Sequence, residues 1–139
     1  MSDPGPTSDA FVVRRWAARH YLDEHLAVLS LMSEHDPPRE MHLQRDVVAQ
    51  RGAGVEMAIT DEVGATVYGG LLGWDASPDE GSLLLSDAAA HELGFTRTVR
   101  IVFPAESNSS QQLVACLGWI VEPLGRAIPQ AFVETEDPA

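Results

Sequence analysis

Ala10-Phe11-Val12-Val13-Arg14-Arg15-Trp16-Ala17-Ala18-Arg19-His20-Tyr21-Leu22-Asp23-Glu24-His25-Leu26-Ala27-Val28-Leu29-Ser30-Leu31-Met32-Ser33 is the first patterned segment of the chain. Its period decides the fold class. Val12, Val13, Trp16 and Ala17, then Leu22, Leu26 and Leu29, fall at helical spacing, while Arg14, Arg15, Arg19, Asp23 and Glu24 take the opposite face. The spacing predicts a helix from about residue 10 to Ser33, capped by Ser8 or Asp9. Leu26–Met32 is apolar nearly throughout, and periodicity alone leaves that run open to a strand as well.

Asp36-Pro37-Pro38 ends this segment, because proline disfavours helix at the preceding residue and donates no N–H. Residues 39–50 read equally as a short helix or a strand, and Arg51–Gly54 reads as a turn. From Val55 the texture changes. Val55, Met57 and Ile59 alternate with Glu56, Ala58 and Thr60, the mark of a half-buried strand, and Asp61-Glu62-Val63-Gly64 is a hairpin connection. Further strands are predicted at Thr66–Trp74, Ser82–Leu85 and Thr96–Phe103, with a helical turn over Asp87–Leu93 that ends at Gly94. Ser109-Ser110-Gln111-Gln112 has the form of a capping box opening a helix over residues 109–117 that stops at Gly118, with a last short strand at Trp119–Val121.

The expected architecture is therefore α+β. An N-terminal helical segment precedes an antiparallel, bent β-sheet or small barrel of four to five strands, with one helix near 109–117. Residues 1–8 are expected to be a disordered lead, 9–133 a single domain, and 134–139 a frayed acidic tail. With 139 residues, 45% of them hydrophobic, the chain can bury a core without staples. The single Cys116 excludes an intramolecular disulfide and lies in an apolar run, where it reads as a small buried hydrophobe. The N-terminus lacks the pattern of a secretory signal, and no apolar run approaches membrane-spanning length. A cytoplasmic location with no membrane association is expected.

Twenty-one acids face nine basic residues, all arginine, for a net charge of −12. Six of the arginines and eight of the acids precede residue 52, leaving three arginines and thirteen acids after it. Such a chain repels phosphate backbones, so nucleic-acid binding is not expected, whereas a basic protein partner is. The candidate protein-binding residues are Asp75, Asp79 and Glu80 in the 75–80 loop, with Asp61 and Glu62 at the neighbouring turn.

The chain carries few chemical motifs. His20 and His25 stand five apart, off the spacing of three or four that shares a helix face, and His35 and His42 flank the double proline, so no metal site is expected. The adjacent carboxylates do not make acid/base pairs, and neither a nucleophile elbow nor a phosphate loop is present. No catalytic residue and no cofactor is assigned.

Gly64-Ala65-Thr66-Val67-Tyr68-Gly69-Gly70-Leu71-Leu72-Gly73-Trp74-Asp75, followed by Leu83-Leu84-Leu85-Ser86-Asp87-Ala88, resembles the first signature motif of Sm-like proteins. The resemblance implies a strongly bent strand at Gly69 in a small barrel, and assembly into an oligomeric ring. The family's Asn and its second-motif Arg-Gly are missing, so its RNA reading does not carry over. The leading expectation is a non-enzymatic acidic protein-binding module of the inhibitor, immunity or adaptor type. An Sm-like oligomeric scaffold, and a small-molecule-binding or enzymatic domain with a pocket near His20, Tyr21 and His25, stand as alternatives.

Overall fold

The computed structural model describes residues 8–23, 25–34, 38–47, 57–103, 107–122 and 127–135. Nine strands and two helices occur among them: β1 (Ser8–Tyr21), β2 (Leu26–Ser33), β3 (Glu40–Asp46), β4 (Ala58–Asp61), β5 (Thr66–Tyr68), β6 (Leu71–Ala76), β7 (Glu80–Leu85), α1 (Asp87–Leu93), β8 (Thr98–Val102), α2 (Ser107–Val121) and β9 (Val133–Thr135). The sheet runs β5-β4-β3-β2-β1-β8-β7-β6, with β9 also paired to β1. It is mixed. Strands β8 and β9 lie parallel to β1, and the other pairings are antiparallel.

The expected N-terminal helix is wrong, and so is a sheet of four to five strands. Residues 8–33 form two long strands, and the reason is a bulge. Phe11 and Val13 point inward at period two, and the register against β2 then shifts between Val13 and Arg15. Inward positions resume at Trp16 and Ala18, so Val13 and Trp16 stand three apart and mimic helical spacing. In β2 the alternation is strict, with Ala27, Leu29, Leu31 and Ser33 buried. Its outward row is half-covered by neighbouring strands, which is why the run reads as apolar throughout. Residues 39–50 resolve as β3 over 40–46; the turn expected at Arg51–Gly54 lies outside the described residues.

Two helices exist where helices were expected: α1 has the expected bounds and α2 is longer at both ends. α1 is capped by the Ser86 hydroxyl, which accepts from the Ala89 N–H, and closes at Gly94 with φ 68°. α2 starts at Ser107, so Ser109 lies inside it, and it runs through Gly118 to Val121. Trp119–Val121 is thus helical, not a strand. The Trp74 ring packs beside Gly118, 3.4 Å from where a Cβ would sit.

The strand expected over Thr66–Trp74 is divided at Gly69-Gly70 into β5 and β6, which are the two ends of the strand order. In a flat sheet, eight strands would set those ends about 34 Å apart. Three Cα steps from Tyr68 to Leu71 reach about 11 Å at most. The sheet must therefore curl until its edges nearly meet, without pairing into a closed barrel. Gly69 takes φ 70° and its N–H reaches the Met57 carbonyl, while the Gly70 carbonyl accepts from Ser86. A side chain on Gly70 would meet the Ala89 Cβ at 2.4 Å, so α1 packs directly on this junction. Residues 64–88, which bear the Sm-like resemblance, make up this junction, β7 and the start of α1.

α2 fills the concave side. Leu113, Cys116, Leu117 and Ile120 are fully buried, and the helix meets β2 and β3 on one flank and β6 on the other. Burying each such side chain contributes roughly 1.5–3 kcal/mol. No described helix is long and apolar enough to cross a membrane.

Candidate functional site

The five candidate acids fall into two separate places. Asp61 is only 5% exposed, and its Oδ1 accepts from the N–H groups of Val63 and Ala65 at 3.0 and 2.9 Å, so it staples the β4–β5 turn. Glu62 accepts through Oε1 from the Arg39 Nε and from the Glu40 backbone N–H, both at 3.0 Å. Partial burial would raise the Glu62 carboxyl, but these hydrogen bonds and the Arg39 charge outweigh it and hold it below the ordinary range.

Asp75, Asp79 and Glu80 share the β6–β7 hairpin. Its turn is held by the Ser77 N–H donating to the Glu80 carbonyl at 2.8 Å and by the Phe103 N–H donating to the Asp79 carbonyl at 3.0 Å. Glu80 pairs with Arg100 at 3.4 Å. Asp75 and Asp79 are exposed and have no ion pair among the described residues. A shallow groove of about 190 Å³ lined by Asp75, Ser77, Glu80 and Ser82 runs along this turn. Among the described residues no hydrogen bond or ion pair joins it to Asp61 and Glu62.

The same hairpin exposes apolar surface. The register of β6 against β7 slips between Leu71 and Gly73, and Leu72 stands out of the bulge 60% exposed. Leu84, opposite Gly73 on β7, is 38% exposed. β6 ends the strand order, so its outer edge has no ladder partner among the described residues.

A second polar site, not anticipated from sequence, lies on the outer face of β1–β3. Ser30 and His42 are cross-strand partners, and Glu40 stands two residues from His42 on the same face. His42 Nδ1 is 2.8 Å from the Ser30 Oγ, and His42 Nε2 is 2.9 Å from Glu40 Oε1. Arg15, Ala17 and Arg19 share this face from β1, opposite Met32, Ser30 and Val28. The signal was the alternation Glu40-x-His42-x-Gln44, legible only if those residues are taken as a strand. His20 and His25 do not converge: His20 lies in β1, and His25 sits at φ 53° in the β1–β2 turn. His35 lies outside the described residues.

Cys116 is fully buried, and desolvation pushes its thiol up to about 12, which makes it a poor nucleophile. No group of three or more His, Cys, Asp or Glu side chains among the described residues could hold a metal ion. No protein-family model, curated protein or solved structure matches this chain.

Proposed function

We propose that this chain is a protein-binding module of the inhibitor, immunity or adaptor kind, and that β6 takes up an extended basic segment of its partner. One observation supports this most: the terminal strand of the sheet presents an exposed Leu72 beside Asp75 and Asp79, two acids with no ion pair among the described residues. Natural sheets usually blunt an exposed edge with charge or cover it. An edge that offers backbone hydrogen bonds, an apolar side chain and flanking acids suits strand addition by a segment alternating basic and apolar residues. The acids steer the encounter, and the apolar contacts hold the complex. Asp61 and Glu62 are occupied by the turn and by Arg39 and lie outside this surface.

The test uses the partner recovered from the source organism with the wild-type chain as bait. Asp75→Asn with Asp79→Asn should weaken its binding about tenfold and flatten the salt dependence. Leu72→Ser should weaken binding without changing the salt slope. Hydrogen exchange of the Leu71–Ala76 amides should slow in the complex. Unchanged affinity in both variants, with unprotected β6 amides, overturns the assignment.

A further inference from the structure

The outer-face site on β1–β3 is independent of the β6 edge, and its chemistry is different. Arg15, Trp16, Ala17, Arg19, Met32 and His42 are among the residues around an open groove of about 330 Å³. Along β1, Arg15 and Arg19 point to this face on either side of Ala17, whose methyl leaves the space between them open. Neither guanidinium has a carboxylate partner among the described residues, although the chain carries a net charge of −12. The Arg15 Nη2 donates to the Met32 sulfur at 3.5 Å.

The acid in the groove lining, Glu40, is engaged by His42. An ionised carboxylate can only accept, so the His42 Nε2 hydrogen faces Glu40, and in the neutral ring Nδ1 takes the Ser30 hydroxyl hydrogen. This order resembles a nucleophile, base and acid in series. The β2 and β3 backbones around Ser30 and His42 are paired in the sheet ladders, so no backbone N–H there is left to act as an oxyanion donor. The groove lining sets two guanidiniums, Arg15 and Arg19, against the one carboxylate of Glu40, so its formal charge is positive.

We infer that this groove binds a small ligand that presents an oxyanion, carboxylate or phosphate, to Arg15 and Arg19 and lays an apolar body against Met32. Guanidinium forks match such oxyanions, and two of them flanking one small residue form a cradle for a single group. The Ser30–His42–Glu40 chain stiffens the floor.

Amide signals of the isotope-labelled protein can be followed during titration with phenyl phosphate, with benzoate, and with benzamide as a neutral compound of the same shape. Saturable shifts at Ala17, Ser30 and His42 are expected with at least one anion and none with benzamide. The tighter anion identifies the headgroup. Arg15→Gln and Arg19→Gln should each weaken binding about tenfold. Both side chains are exposed, so the remaining spectrum should show the fold intact. Absence of saturable shifts with both anions, equal shifts with benzamide, or undiminished affinity in both variants overturns the inference.

Discussion

The guanidinium of Arg39 donates through Nη1 to the carbonyl of Gly94 at 2.9 Å, across 55 positions of chain. Nη2 donates to the Leu93 carbonyl at 2.9 Å, Nε to Glu62, and the plane lies 4.1 Å over the Phe95 ring. One side chain just before β3 thus closes the end of α1 and ties it to the β4–β5 turn. The carbonyls at a helix C-terminus lack partners and carry partial negative charge, so a cation there is favourable.

Arg39→Ala should cost about 2–3 kcal/mol, summing hydrogen bonds from a charged donor and a partly exposed cation–π contact. Equilibrium urea denaturation measures it. Glu62→Gln tests the pH dependence of the same hub. The folded Glu62 carboxyl sits below its ordinary value, so its contribution is complete above the unfolded value, about 4.3, and is lost as pH falls through the lower folded value. The stability gap between wild type and Glu62→Gln should be constant above about pH 5 and close in more acid solution. A gap that widens on acidification contradicts the assigned ion pair.

Arg45, at the other end of β3, does for α2 what Arg39 does for α1. Its Nε donates to the Ile120 carbonyl at 2.7 Å and its Nη2 to the Val121 carbonyl at 3.2 Å. The last turn of α2 has no basic residue of its own. Burial draws Arg45 below the ordinary arginine range, but a guanidinium stays charged in proteins. Arg45→Met should keep the packed volume and leave two helix-end carbonyls without that donor, at a cost of about 2–4 kcal/mol. Cys116 gives a local readout, because its buried thiol reacts only when α2 opens. Labelling under native conditions should be faster in Arg45→Met than in wild type, and equal rates would refute this role.

Gly70→Ala should destabilise the chain by about 1–3 kcal/mol, the usual cost of overpacking. The added methyl would meet Ala89 Cβ at 2.4 Å and Val67 Cγ1 at 3.0 Å. Ala89→Gly removes the closer obstacle, so the double variant should lose less than the two single changes summed, by at least about 1 kcal/mol. Additive losses from thermal or urea melts would mean that α1 does not pack on the β5–β6 junction at this contact.

Local chemistry was well written into the chain. Gly94 closes α1, Asp61–Gly64 turns a hairpin, and Val99, Ile101 and Phe103 alternate inward, because each depends on residues within a few positions. The apolar run around Cys116 likewise determined a buried helix. What only the tertiary structure decided is long-range. The Val13–Arg15 bulge changes the side-chain phase of β1 and disguises a strand as a helix, and a bulge exists only relative to its partner strand. Gly118 does not end α2, which continues to Val121 with the Trp74 ring of β6 packed beside it. Ser30, His42 and Glu40, and the two arginines that close helices from β3, were invisible for the same reason: their partners lie across strands or dozens of residues away. The period of a single segment cannot show where another segment will lie, and in a sheet that placement sets both the faces and the sites on them.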